Sequence, residues 1–563
     1  MAHRSLTDSY AVSSQISVED VPVFKVAGYS GIICLRPDGE EPGQPLAQEI
    51  ANAAQAEGID FAYIPVRSGT LPDDAQVREM RLALDRMHGS VLGYCRSGTR
   101  AAQIWALAKA GVRPAEELLE IGHQAGVDLT VLGERLTVQP STRHDDSTGS
   151  RFFQVVIVGG GAGGLSVASS LLKRDPSLSI AVVEPSGEHF YQPGWTLVGA
   201  GIFKPEQTLR AEANLMPKDV TWLRNHVTSF APDAHEVSLD DGAVLSYGAL
   251  VVATGIVLDW SAISGLEETL GQNGVTSNYR YDLAPYTWKL VNEMKSGTAI
   301  FTQPPMPIKC AGAPQKAMYL SCDKWRKRGA LDRISVEFNT ATPSLFGVKE
   351  FVPALMEYVR KYGAELKLGS KLVAVDGPNR IASFDYQDGD RTIRVERKFD
   401  MLHVVPPQKA PKVVRESALA GPDGFVAVNS ETLQHVQYPE VFAVGDVAGT
   451  SNAKTAAAAR VQAPVVAVNV LAALRHEPPV AGYDGYGACP LTVENGRIVL
   501  AEFSYGGKLA PTMPLWLMRG TRPTRLAWWL KKYIMPVLYW HGMLKGRELF
   551  VRPRPLSSSR KDS

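Results

Sequence analysis

Cysteine is scarce in this chain, with five in 563 residues: Cys34, Cys95, Cys310, Cys322 and Cys489. They are far apart and odd in number, which excludes a disulfide framework or a zinc centre, both of which need clustered pairs. Isolated thiols in a reducing compartment remain, one or two of them reactive, and no metal site is expected. The chain also lacks any run of about 18 uninterrupted apolar residues, so no helix is expected to span a membrane. Its opening, MAHRSLTDSYAVSS, has no apolar core of a signal peptide. An excess of charge is missing too. Lys and Arg number 59 against 58 Asp and Glu, a balance that favours neither nucleic acid nor an acidic partner. No repeat of solenoid period is visible.

What is present suits an α/β enzyme, with 45% hydrophobic residues and 50 glycines. At roughly 150 residues per domain, three or four folding units are expected. Residues 1–138 alternate strand-like runs (GIICL, FAYIPV, VLGYC) with helical stretches such as QPLAQEIANAAQAEG. The polar segment QPSTRHDDSTGS, within 139–150, reads as a linker. A larger α/β region covers 151–508, and 509–563 is a basic, tryptophan-rich tail.

RFFQVVIVGGGAGGLSVASSLL reads as a buried strand, a glycine turn and a helix. Gly159, Gly161 and Gly164 give the GxGxxG spacing: one glycine for the tight turn, one for close approach to a pyrophosphate, one for packing helix on strand. The helix N-terminus then faces the phosphate charge. Glu184, twenty residues after Gly164, ends the strand SIAVVE, where an acid accepts from a ribose hydroxyl. Two further apolar strands, ALVVATG ending at Gly255 and YPEVFAVGDVAG holding Asp446, complete a trio that resembles the two-dinucleotide-domain flavoproteins. That resemblance implies FAD, with Asp446 on its ribityl chain. The helix starting near Lys454 would aim its positive end at the flavin ring.

A second glycine fingerprint for NAD(P)H is absent after GTAIFTQPP and after RISVEFNTATPSL; Cys310 stands where a nicotinamide site would otherwise be built. KCAGAPQKAMYL, EHFYQPGWTLVGAGI, SNAKTAAAA and YGACPLTVENGRIVLAEFSY together resemble sulfide:quinone oxidoreductases of the eukaryotic-like type, over about 150–550. The resemblance implies that Cys310 joins a disulfide or trisulfide beside the flavin. Sulfide would attack it to form a persulfide, and a thiolate would deliver two electrons at flavin C4a. A neighbouring lysine, Lys309, is placed to lower the Cys310 pKa. The chain departs from the pattern at Val447, since eukaryotic-like members carry their second cysteine directly after the GD pair. Cys489 or Cys322 could take that place, or Cys310 could work alone. Cys322 otherwise reads as a buried small hydrophobe, and Cys489 too has a packing reading.

The tail MPLWLMRGTRPTRLAWWLKKYIMPVLYWHGMLKGRELF holds four of the ten tryptophans, and from Arg519 to Lys561 there are eleven Lys and Arg. Apolar runs broken by Arg525, Lys531, Lys532 and Lys545 suit helices lying in a membrane interface with their cations at headgroups, and Pro536 is expected to separate two short helices. The alternative is a tail packed on the protein itself or on a dimer partner.

In VLGYCRSGTRAAQIWALAKAG, Cys95 opens a loop that Arg100 closes before a helix. Successive N–H groups there stabilise a thiolate or bind an oxyanion, as in rhodaneses and cysteine phosphatases. The C-x4-R spacing is the shorter loop of sulfurtransferases. The preceding segments SSQISVEDV, LRPDGEEPGQP and IPVRSGTLPDD resemble the phosphatase-like, β-lactamase-hydrolase-like family. Asp73 or Asp74 could serve a phosphatase as general acid, but both suit a helix N-cap. Cys34 lies in an apolar strand and reads as core.

These readings converge on a small phosphatase/rhodanese-like α/β domain followed by tandem Rossmann-like domains and an interfacial helical tail. The expected activity is FAD-dependent oxidation of sulfide or a related thiol, with electrons passing to membrane quinone and sulfane sulfur to an acceptor through Cys95. The expected location is peripheral, on the cytoplasmic face of the inner membrane. Two alternatives stay open: a flavin dehydrogenase using NADH or another donor beside an N-terminal phosphatase, and a membrane sulfide sensor without turnover.

Overall fold

The computed structural model describes residues 3–7, 9–87, 89–110, 113, 115–136, 151–388, 391–549 and 551–556. The chain divides into two units, Met1–Thr148 and Gly149–Ser563. The segment 139–150 expected as a linker lies outside the described residues.

In the first unit five strands run in the order Arg4–Thr7, Tyr10–Ser13, Ser90–Tyr94, Tyr29–Cys34, Asp60–Tyr63. The outer pair Arg4–Thr7 and Tyr10–Ser13 is antiparallel and every other pairing is parallel. Val, Ile and Leu on both faces let this sheet bury two cores. Cys34 belongs to one and Cys95 to the other, because side chains alternate along a strand. The strand Ser90–Tyr94 feeds the Cys95 loop and then the helix Thr99–Lys109, which buries Trp105.

The second unit holds, beside smaller antiparallel sheets, two sheets built on parallel strands, the first of which also carries Glu236–Leu239 and Val227–Ala231 antiparallel at one edge. In the first, Val220–Leu223, Ile180–Val183, Arg151–Val158 and Val244–Val252 lie side by side, and Val441–Ala443 pairs with the last of them. Parallel strands covered on both faces must be apolar throughout, which is the composition of VVIV, IAVV and ALVV. The glycine-turn helix Ala162–Arg174 packs on Ala456–Leu474. That 19-residue helix, with mean hydropathy 1.6, is the single one among the described residues long and apolar enough to cross a bilayer, yet it lies in the core.

The second sheet runs Val275–Thr276, Met401–His403, Gly297–Gln303, Ile334–Thr340, Glu365–Leu368. Gly297–Gln303 leads through Cys310 into the helix Ala313–Lys327, against which the hairpin Gly487–Glu494/Arg497–Phe503 packs.

Pro536 does not divide the tail. The chain stays helical from Arg525 to Lys545, with wide π-helical turns at Leu530–Ile534 and Leu538–Gly542 on either side of the proline. Such turns relieve the clash a proline ring makes in a regular helix.

Candidate functional site

The glycine turn follows Arg151–Val158. Gly159 has φ 107°, and a Cβ there would stand 2.5 Å from the Ala253 carbonyl oxygen. A Cβ on Gly164 would stand 1.9 Å from the Gly159 oxygen. Packing therefore forbids a side chain at both positions. Gly161 meets nothing within 4 Å, which leaves a cradle at the N-terminus of Ala162–Arg174 for a pyrophosphate. Glu184 is held against this turn, its two oxygens accepting from the Gly160 and Ser186 N–H groups at 2.8 Å each. Gly255, at φ 70°, is likewise open. Buried polar atoms without partners lie beside the other two motifs: Thr254 Oγ1 next to Gly255, and Gln462 Nε2, whose Oε1 accepts from Gly445 N–H. A cradle flanked by unpaired buried donors and acceptors fits a dinucleotide.

Burial pushes the Asp446 carboxyl up, against the pull of Lys454 and Lys309. Lys454 turns its ammonium onto the Asp446 and Ala448 carbonyl oxygens, at 2.7 and 3.0 Å. Its own carbonyl accepts from Cys310 N–H at 2.8 Å. The Cys310 turn is thus tied to the segment that follows Asp446. Cys310 takes φ 49°, a left-handed conformation uncommon outside glycine, and Tyr279 Oη donates to its carbonyl at 3.1 Å.

The structure brings Cys310 and Cys489 together, with their sulfurs 3.8 Å apart. Cys489 arrives on the hairpin, and a Cβ on Gly312 would stand 2.6 Å from its sulfur and 2.2 Å from Leu491 Cδ2. Glycine there permits the close approach. Cys322 is not part of the pair; it is fully buried in the core of Ala313–Lys327, where desolvation pushes its thiol up. Val447, where the second cysteine was sought, is a core residue.

The lysine that stabilises Cys310 is Lys316, not Lys309. Lys316 Nζ lies 3.1 Å from Cys310 Sγ and 4.0 Å from Cys489 Sγ, whereas Lys309 Nζ donates to Gln192 Oε1 at 2.7 Å. Sharing a hydrogen bond with Cys489, and then the charge of Lys316, hold the Cys310 thiol well below its ordinary value. The same shared bond raises Cys489. Lys316 stands nearer to Cys310, the partly buried partner, than to Cys489, so the geometry favours Cys310 as the thiolate of the pair.

A third cation comes from the tail. Lys531 is 2% exposed, not placed at headgroups, and donates to the Pro193 carbonyl at 2.8 Å. Burial, then repulsion from Lys316, brings it down to about 7. Trp529 and Tyr533 lie two residues to either side, on the opposite side of the helical turn, and are exposed with Val537. That relation is the sequence signal that Lys531 points inward. Lys545 likewise bonds protein, the carbonyls of Asn214 and Leu215. Tyr539, Trp540, Met543 and Leu544 pack on Leu165 and Tyr191. One face of the tail is therefore docked on the protein while Trp516, 85% exposed, and the Trp529 stripe remain outside.

In the first unit Cys95 is fully buried, and Gly98 N–H donates to its sulfur at 3.1 Å. Arg100 holds both Glu40 oxygens at 2.8 Å. Arg96, Ser97, Thr99 and Arg100 line a cleft of about 730 Å³ together with Ser68 and Thr70. Asp73 is an N-cap, accepting from Gln76 N–H; the Asp74 side chain lies outside the described residues. The Arg100 hydrogen bond, with Arg36 assisting, lowers Glu40 to about 2. A depressed carboxylate contributes stability above its ordinary value and loses it as pH falls through the depressed one. Hydrogen exchange in 95–109 is thus expected to match at pH 7 and 5 after rate correction, and to accelerate between pH 4 and 2. Glu40→Gln removes that acid step; an unchanged step would count against the clamp.

Fold and sites together define a flavin-type oxidoreductase of two dinucleotide domains behind a phosphatase-like domain. Residues 153–303 match the family described as pyridine nucleotide-disulphide oxidoreductase, and residues 2–112 match the phosphatase-like domain of beta-lactamase hydrolase-like protein. The chain is 42% identical over 397 residues to the mitochondrial sulfide:quinone oxidoreductase of Dictyostelium discoideum, covering 70% of this chain and 86% of that one. The Mus musculus protein of the same name is 38% identical over 400 residues, covering 71% and 88%. The solved sulfide:quinone oxidoreductase of Aquifex aeolicus shares the fold, with a TM-score of 0.59 at 19% identity over 73% of this chain and 98% of that one. The chain belongs to the sulfide:quinone oxidoreductase family, as its motifs implied.

Proposed function

We propose that this protein binds FAD and oxidises sulfide at Cys310 and Cys489, passing electrons to a membrane quinone. The observation that carries this reading is the pair of sulfurs at 3.8 Å, with Lys316 at 3.1 Å from Cys310. In the resting disulfide, hydrosulfide attacks the more exposed Cys310 sulfur. The bond to Cys489 breaks, its electron pair leaves on Cys489, and Cys310 becomes a persulfide. The outer sulfur passes to an acceptor thiolate, which returns Cys310 as a thiolate beside Lys316. FAD, when bound, supplies the two-electron relay from the dithiol to quinone, and the disulfide re-forms. The sum is balanced: hydrogen sulfide, a thiol RSH and quinone give RSSH and quinol. Gly159, Gly161, Gly164, Glu184, Gly255, Asp446 and Lys454 are the residues that would hold the cofactor.

The exposed Trp516, Trp529, Tyr533 and Val537, among cations such as Lys532, support a peripheral seat on a membrane surface, where quinone is reached. The Cys95 loop is the candidate sulfane-sulfur acceptor, with its buried sulfur on a backbone N–H.

Anaerobic sulfide titration of the purified flavoprotein is expected to bleach the flavin, and a soluble quinone to restore it. Sulfide without effect, with NADH bleaching instead, would overturn the assignment. Bound sulfane sulfur after turnover is expected to fall in Cys95→Ala; an unchanged amount would remove Cys95 from the route.

A further inference from the structure

A second buried acid stands at the glycine turn, one that the dinucleotide motif does not account for. Glu212 follows the strand Leu209–Ala211 and is 1% exposed. Its Oε2 lies 2.9 Å from His189 Nδ1, and His189 Nε2 lies 2.7 Å from Tyr539 Oη. Tyr539 can donate to Nε2 while Nδ1–H donates to Glu212, an arrangement that satisfies both ring nitrogens. The other oxygen, Oε1, is buried with no hydrogen-bond partner. It stands 2.8 Å from where a Cβ on Gly160 would be, and Glu184 Cγ stands 2.7 Å from the same point. Two carboxylates therefore crowd one residue of the turn. Both oxygens of Glu184 already accept from backbone N–H groups. Glu212 retains an acceptor that protein does not satisfy, and leaving a buried charged acceptor unpaired is costly.

We infer that Glu212 is a second cofactor-binding acid, accepting from a donor on the adenosine half of the bound dinucleotide, and that Tyr539 positions it through His189. The inference rests on the FAD reading above. Tyr539 belongs to the helical run Arg525–Lys545, the segment that also carries the exposed Trp529 stripe and the buried Lys531. Cofactor retention and the seating of that helix are thereby linked, and such linkage is reciprocal. Whatever factor the seated helix adds to FAD affinity, bound FAD adds to the seating of the helix. Other fasteners keep the helix in place when Tyr539 is altered: Ser169 Oγ donates to the Leu544 carbonyl at 2.8 Å, and Arg174 pairs with Glu548 at 2.6 Å.

The test uses the full chain, stripped of flavin and titrated with FAD by fluorescence, and with ADP as a competitor that carries the adenosine half alone. Glu212→Gln keeps the side-chain volume, and Tyr539→Phe keeps the ring between Tyr191 and Trp540. Glu212→Gln is expected to weaken both FAD and ADP about tenfold or more, and Tyr539→Phe to weaken both by a smaller factor. FAD is expected to slow tryptic cleavage of the C-terminal helix more in the wild type than in Tyr539→Phe. Unchanged FAD and ADP affinity in Glu212→Gln overturns the role of the acid. Equal protection of the helix in wild type and Tyr539→Phe overturns the linkage. A wild-type chain that binds ADP but not FAD would instead overturn the flavin reading itself.

Discussion

Cys489→Ser is expected to lower sulfide-dependent quinone reduction about a thousandfold or more, with flavin content unchanged. The loss in this variant is the disulfide that hydrosulfide opens in the proposed cycle, since the serine hydroxyl can still donate to the Cys310 sulfur but cannot bond to it covalently. Cys310→Ser is expected to do equal damage, and the double variant no more than either single one, because the two sulfurs act as a unit. Cys322→Ala serves as the control and is expected to turn over at close to the wild-type rate. Stopped-flow reduction of a soluble quinone, alongside the flavin absorbance of each preparation, measures all four. Activity within tenfold of wild type in Cys489→Ser would show that Cys310 works alone.

The second large effect belongs to Lys316. Burial works against its charge, but the thiolate beside it more than compensates, so its pKa is raised. Lys316→Met keeps the length and removes the cation 3.1 Å from Cys310 Sγ. A buried thiolate without its cation is expected to titrate about two units higher, and hydrosulfide turnover at neutral pH to fall about a hundredfold. The midpoint for alkylation of Cys310 in the reduced enzyme reads this directly, and Lys316→Arg is expected to recover most of the shift. Lys531 supplies an internal check. Since Lys316 repels it, Lys531 titrates higher once Lys316 is gone and makes up part of the lost charge. An alkylation midpoint that does not move in Lys316→Met would mean that Cys489 alone sets the thiolate.

Much of this architecture is legible in the chain because it is local. A buried strand, a glycine turn and an acid on the next strand are consecutive in sequence, so Gly159, Gly161, Gly164 and Glu184 can be found by spacing. The partner of Cys310 is not local. Cys489 lies 179 residues away on a hairpin whose apolar pattern is also that of ordinary core, and only tertiary packing through Gly312 selects it over Cys322. Lys309 is adjacent to Cys310 in sequence but points to Gln192; Lys316 returns to the sulfur because a helix intervenes. Lys531 and Lys545 were hidden by a similar fault, since counting cations in an amphipathic tail assigns them all to the wet face. Pro536 reads as a break because regular helix cannot hold it, and π turns escape that rule. Glu212 belongs to no motif, and its orphaned oxygen exists only in three dimensions.

The span between the two sulfurs has a consequence for the enzyme as a polymer. When Cys310 and Cys489, 179 positions apart, are joined, the chain between them becomes a closed ring that takes in the strands Ile334–Thr340, Glu365–Leu368 and Met401–His403 of the second sheet, the segment holding Asp446 and the long helix Ala456–Leu474. Closing a loop of that size removes chain entropy from the unfolded state worth about 5 kcal/mol in the simplest treatment. In the proposed cycle each arrival of hydrosulfide would open the ring and each transfer of electrons onward would close it, so that turnover would alternate between a stapled and an unstapled chain. An excess of sulfide over quinone, by holding the staple open, would then leave the protein in its less heat-resistant form.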